Sequence, residues 1–251
     1  MIIRGGRAIY GESVGILVLD TKFPRIPGDI GNATTFEFPV RYKVVQGAKA
    51  DQVVAAPDRA RALLPAFIEA AKELENDGVR AITTTCGFLT VVQNEIAEAV
   101  NVPVITSSLF LVPLLRRMLG PKRTIGIVTA DAQSLSADHL RAAGIDPDWR
   151  LSVRGMESYE SFKTILGTTD ITTNPDYSLD VEQTRRDVTD VCQAMLADAP
   201  DLGVLLFECT NLQPYAQAVQ AATGLPIFGI YHVVNMLHSG AISPGFANGY
   251  L

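Results

Sequence analysis

One long internal repeat limits what this chain can fold into. The segments Arg80-Ala81-Ile82-Thr83-Thr84-Thr85-Cys86-Gly87-Phe88-Leu89 and Gly203-Val204-Leu205-Leu206-Phe207-Glu208-Cys209-Thr210-Asn211-Leu212 align without a gap at an offset of 123 positions. Each copy places a cysteine between an apolar, strand-like run and a helix-like run. The match continues downstream, with Val102 on Leu225 and Pro103 on Pro226. A second echo sets Val14–Asp20 on Ile125–Asp131, with Gly15 on Gly126 and Asp20 on Asp131, at an offset of 111. The second copy therefore carries about twelve extra residues before its cysteine. They are expected in Gly167–Asp180, whose Thr, Asp and Asn content reads as a surface loop.

Strand and helix signals alternate throughout. Val14–Asp20, Ala81–Thr85, Val102–Thr106, Thr124–Asp131 and Pro226–Ile230 read as short buried strands. Ala60–Leu74, Leu89–Val100 and Val181–Ala197 have apolar residues at helical spacing. Asn76-Asp77-Gly78 ends the first of these helices. Short apolar strands alternating with helices imply parallel sheets covered on both faces. The expected fold class is α/β: two similar lobes, each a parallel sheet flanked by helices, related by a pseudo-two-fold axis. The first lobe should comprise residues 1–119 plus 230–251 and the second residues 120–229. The loop Lys22–Asn32 follows the first strand. It should lie at the C-terminal sheet edge, where open α/β proteins bind ligands.

A formal net charge of −6 over 251 residues, with 19 % charged residues, gives no basic face for nucleic acid or an anionic membrane. The most apolar long run, Val102–Leu115, is interrupted by prolines and serines and is too short to span a bilayer. The start of the sequence has no continuous apolar stretch of the secretory type. Three cysteines, an odd number, fit free thiols in a reducing compartment. A cytoplasmic protein is expected. The charge leaves open a small carboxylate-bearing substrate, which backbone amides at helix N-termini can bind. No nucleic acid and no membrane are expected as partners, and a homo-oligomer is left open.

Cys86 and Cys209 are the candidate catalytic pair. Two copies of one structural unit that each present a thiol suggest a site between the copies, with one sulfur on each side of a substrate. A strand-to-helix turn exposes the side chain, and the helix N-terminus favours thiolate. Cys192 lies on the apolar side of a helix and reads as a small buried hydrophobe. Candidate substrate contacts are Asp20, Thr85, Gly87, Phe88, Thr210 and Asn211. Gly87 allows close backbone approach, Thr210 and Asn211 supply hydrogen-bonding groups, and Asp20 ends the first strand. Asp131 reads as a cap, and Glu208 either polarises the site or faces solvent. Arg25 and Arg41 are candidates for a carboxylate. His232 follows the last strand. The sequence has no P-loop, G-x-G-x-x-G, H-E-x-x-H or C-x-x-C, so no cofactor and no metal are implied.

The duplicated lobes, the Thr-rich turn at Cys86 and the Glu208-Cys209-Thr210-Asn211 turn resemble the aspartate/glutamate racemase superfamily. That group includes amino-acid and hydantoin racemases, maleate isomerases and arylmalonate decarboxylases. The first turn reads Cys-Gly-Phe where amino-acid racemases usually read Cys-Asn-Thr. Asn211 stands where glutamate racemases have histidine, so the chain is not a typical glutamate racemase. The resemblance implies a cofactor-independent isomerase of the racemase type, inverting a stereocentre next to a carboxylate. One cysteine would act as base and the other as acid. Two alternatives are a maleate-type cis–trans isomerase working through a covalent cysteine adduct and a non-catalytic carboxylate-binding protein.

Overall fold

The computed structural model describes residues 2, 5–54, 57–167 and 177–243. Strands β1 (Val14–Leu19), β2 (Val40–Val45), β3 (Ala81–Thr84) and β4 (Val104–Ile105) form one sheet in the order β2-β1-β3-β4. Strands β5 (Thr124–Thr129), β6 (Leu151–Gly155), β7 (Leu202–Phe207) and β8 (Ile227–Gly229) form a second in the order β6-β5-β7-β8. All pairings are parallel. Each strand of the first sheet thus has its counterpart at the same place in the second, which is the α/β two-lobe fold expected from the repeat.

The central strands β1, β3, β5 and β7 are buried along their whole length. The edge strands β2 and β6 lack that continuous apolar signature, with Arg41 and Lys43 in one and Ser152 and Arg154 in the other. A search for continuous apolar runs passes over such strands because only part of their surface is covered.

The helices depart from expectation in two places. The span Ala60–Leu74 is two helices, Pro57–Ala62 and Leu64–Asp77. Pro65 has no N–H to continue a helix and its ring crowds the preceding turn, so a new helix starts there. It ends as expected at Gly78, in the left-handed region with φ 97°. Second, the segment after each cysteine begins as a 3-10 helix, Gly87–Val92 or Thr210–Tyr215. An α-helix follows each, Gln93–Glu98 or Ala216–Thr223.

Packing joins the two sheets. Ile16 and Ile82 of the first sheet share one buried cluster with Ile125, Ile127, Val204 and Leu206 of the second. In the other direction, Phe23 reaches from the loop after β1 into the cluster around Phe207 and Cys209. Helix Ile230–Ala241 packs on β1, β3 and β8. On that helix, His238 Nδ1 lies 2.6 Å from Ser13 Oγ, and its ring stacks on Phe38. Among the described residues no helix is long and apolar enough to cross a membrane.

Candidate active site

The same turn is built twice. Thr85 N donates to Leu17 O at 2.9 Å, and Glu208 N donates to Val128 O at 2.8 Å. Leu89 N donates to Cys86 O and Leu212 N to Cys209 O, both at 3.2 Å. These bonds hold each strand end against its neighbour and start the 3-10 helix one residue after the sulfur. Bonds between the copies then bring the two turns together. Thr210 Oγ1 donates to Thr85 O at 2.9 Å, and Ser108 Oγ donates to Phe207 O at 2.8 Å.

A small cavity of about 30 Å³ opens between the turns. Thr85, Cys86, Gly87 and Phe88 line one side, and Glu208, Cys209, Thr210 and Asn211 line the other. Thr21, Phe23 and Arg25 close it from the loop after β1. Leu19, Ala50, Val54, Ala130 and Ile165 complete an apolar wall. Among the described residues of this wall, Arg25 is the one basic side chain and Glu208 the one carboxylate.

Glu208 is the least expected member. It is 1 % exposed. Its Oε2 accepts a 2.6 Å bond from Thr129 Oγ1, and its Oε1 has no hydrogen-bond partner among the described residues. The carboxylate lies against Gly87. A methyl group at position 87 would collide with Oε1 and stand 2.8 Å from the Glu208 carbonyl oxygen. Burial pushes the Glu208 carboxyl up to about 7, against the downward pull of the Thr129 bond.

Both thiols are pushed up, chiefly by burial and then by the charge of Glu208. The expected downward push from a helix N-terminus exists as hydrogen bonding from backbone at Phe88 to Cys86 and at Asn211 to Cys209. It is outweighed, because two short 3-10 turns cannot offset near-complete removal from water. The thiols are not equivalent. Arg25 pulls Cys86 down, whereas Cys86 and Asp29 push Cys209 further up. Cys209 Sγ also lies 3.5 Å from Asn211 Oδ1, the arrangement of a thiol donor.

Of the residues singled out from sequence, Cys86, Cys209, Thr85, Gly87, Phe88, Thr210 and Asn211 all meet at the cavity. Asp20 does not. Its backbone N–H donates to Ala48 O, and its side chain accepts from Gly47 N at 3.2 Å and pairs with Lys22 at 3.4 Å. That turn points Asp20 toward the end of β2, and Asp29 is the acid of this loop that contacts lining residues instead. Asp29 accepts from Arg25 Nη1 at 2.8 Å and from Asn211 Nδ2, tying the loop after β1 to the second cysteine turn. That loop does border the cavity, and internal bonds brace it, including Asn32 Nδ2 to Arg25 O at 2.7 Å. Arg41 lies outside, paired with Glu12 and Asp77. Asp131 caps the turn at Gln133 and Ser134. His232 Nδ1 accepts from Gly229 N at the start of its helix. Cys192 is wholly buried, and burial pushes its thiol to about 12. In the Gly167–Asp180 loop, residues 168–176 lie outside the described residues.

The Arg25–Asp29 pair and the walls at Ala50, Val54 and Ile165 carry no motif. Glu208 did carry a signal, since it occupies the repeat position of Thr85. Thr85 Oγ1 accepts from Leu19 N inside the first lobe, so its counterpart also points inward.

No protein-family model matches the chain. A dimethylsulfoniopropionate lyase from Durusdinium sp. clade D is 31 % identical over 225 residues, covering 88 % of this chain and 72 % of that protein. Dimethylsulfoniopropionate lyase 3 of Emiliania huxleyi is 31 % identical over 241 residues, and the chain spans 61 % of its length. The chain belongs to the dimethylsulfoniopropionate lyase family. Its fold is that of the aspartate/glutamate racemase superfamily. Unliganded arylmalonate decarboxylase matches with TM-score 0.58 at 16 % identity, over 95 % of this chain and 96 % of that one. Allantoin racemase from Pseudomonas fluorescens matches with TM-score 0.57 at 15 % identity, over 94 % and 100 %. The expected activity is thereby corrected. The relatives at about 31 % identity are named lyases, not racemases or isomerases, and the racemase likeness extends to the fold alone.

Two stability measurements check this geometry. Glu208 titrates near 7 when folded against a usual 4.5, so the unfolded chain loses that proton first. Wild-type stability relative to Glu208→Gln should fall as pH rises from about 4.5 through 7, then level off. The total swing should be about 3 kcal/mol by urea unfolding, and a pH-independent difference would contradict a buried, neutralised Glu208. Gly87→Ala should cost about 1–3 kcal/mol through overpacking. A wild-type midpoint for that variant would mean the two turns do not close on each other.

Proposed function

We propose that the chain is a lyase that eliminates dimethyl sulfide from dimethylsulfoniopropionate. The observation that carries the reading is a cavity lined by two thiols, one arginine and one carboxylate, in a chain whose relatives carry that activity in their names.

The chemistry follows from the substrate's two charges. A thiolate takes the proton from the carbon next to the carboxylate. The C–H electron pair becomes the second bond between the α- and β-carbons. The β-carbon–sulfur bond breaks and its pair leaves with sulfur, giving neutral dimethyl sulfide and acrylate. The proton on the cysteine then returns to solvent. Racemisation on this fold would start with the same abstraction, and a leaving group on the β-carbon diverts the intermediate into elimination.

Cys86 is the base in this reading. Arg25, the basic side chain of the wall, is the partner for the substrate carboxylate, and Arg25 is also the charge that favours thiolate at Cys86. The carbon bearing the acidic hydrogen is next to that carboxylate and so falls beside Cys86. Backbone amides at the turn and the Asn211 side-chain amide stabilise the charge that develops on the carboxylate. Cys209 remains a thiol on the opposite wall. An empty cavity disfavours either thiolate, and a bound sulfonium cation supplies the opposite charge that offsets this cost. Three unpaired thiols suit a reducing compartment, and we assign the protein to the cytoplasm.

Headspace gas chromatography of dimethyl sulfide tests the assignment. Cys86→Ser should lose at least about 100-fold in kcat, since a hydroxyl cannot replace the thiolate base. Cys209→Ser keeps a donor of similar shape and should lose less. A Cys86→Ser enzyme with near-normal kcat would remove Cys86 as base. Wild-type protein that releases no dimethyl sulfide would overturn the lyase reading itself.

A further inference from the structure

We propose that Glu208 is the specificity determinant for the cationic end of the substrate: its unpartnered carboxylate oxygen selects an onium group over a neutral group of the same shape. The inference rests on reading the cavity as a site for an onium carboxylate and names the residue that recognises the onium.

Three observations converge on it. The Glu208 side chain lines the cavity and is almost wholly buried. Only one of its oxygens is used, by Thr129, while Oε1 is left without a partner among the described residues. A buried carboxylate oxygen with no partner is costly. A sulfonium or quaternary ammonium group cannot donate a conventional N–H or O–H hydrogen bond, yet its charge satisfies such an oxygen. The absence of a side chain at Gly87 leaves the room this oxygen occupies.

The charge arrangement gives direction to the substrate. Arg25 takes the carboxylate end, and Glu208 is the one carboxylate on the wall for the other. The groups facing Glu208 are the thiols of Cys86 and Cys209, from the turns after β3 and β7, and the neutral donor Thr129 at the end of β5. Arg25 lies on the same wall with its partner Asp29, on the loop after β1. With the carboxyl titrating near 7, the preference for a cation is present above that pH and fades below it.

The attraction has a kinetic signature. Elimination discharges the sulfonium, so Glu208 holds the bound substrate more tightly than the transition state. Removing its charge should raise KM while leaving kcat unchanged or higher.

The test uses a poorly eliminating probe. Isothermal titration calorimetry would compare 3-(trimethylammonio)propanoate with its neutral isostere, 4,4-dimethylpentanoate. Wild-type protein at pH 8 should bind the cation about tenfold more tightly or better, a preference of about 1.4 kcal/mol, and the preference should shrink at pH 6. Glu208→Gln keeps an acceptor for Thr129 and should lose the preference at both pH values while still binding the isostere. Thr129→Val removes the bond that favours the ionised form and should move the onset of the preference to higher pH. A preference unchanged in Glu208→Gln, or a wild type that binds the cation no better than the isostere, overturns the proposal. Failure of the lyase reading would show separately, as wild-type protein that discriminates the probes but releases no dimethyl sulfide.

Discussion

The missing side chain at Gly87 is the constraint on which the rest of the site depends. Two lobes, each ending a strand in a cysteine turn, must bring those turns together without stranding their backbone groups. Thr210 donates across the seam to Thr85 O, and the carboxylate of Glu208 fills the space that any other residue at 87 would occupy. Bulk there would separate the turns and, with them, the sulfurs. The groups around the contact are buried, and burial sets their electrostatics.

Burial makes this cavity reluctant to hold charge. Both thiols and Glu208 are driven toward their neutral forms. Such a site is silent when empty and becomes competent when a ligand brings complementary charge with it. On the proposed reading a zwitterion suits it, with its anionic end on Arg25 and its cationic end on Glu208. The Arg25–Asp29–Asn211 chain of bonds fixes the arginine and at the same time orients Asn211 beside Cys209. The placements of the arginine and of the second sulfur thus share one network.

Much of this was legible in the sequence because a duplication repeats its own evidence. Cys86 and Cys209 follow buried strands at equivalent positions, and the equivalence carried Thr85, Gly87, Phe88, Thr210 and Asn211 into the site with them. Asp20 misled because the end of a strand does not fix which way the next turn runs. The chain bends at Asp20, and the acid of this loop that bonds a lining residue is nine residues further on, at Asp29. Edge strands β2 and β6 escaped notice because their polar residues interrupt the apolar run. The ionisation of the thiols was misjudged because a turn's sequence reports its amides but not how completely water is excluded. The choice between elimination and racemisation is not written in the cysteine turns. Both begin with the same proton, and the difference lies in what the substrate carries on its next carbon.

The most direct measurement is proton NMR of the wild-type protein with dimethylsulfoniopropionate in D₂O. The account predicts dimethyl sulfide and acrylate appearing in equal amounts as the substrate signals decline. Substrate that stays intact, or that gains deuterium next to the carboxylate without forming acrylate, would contradict it.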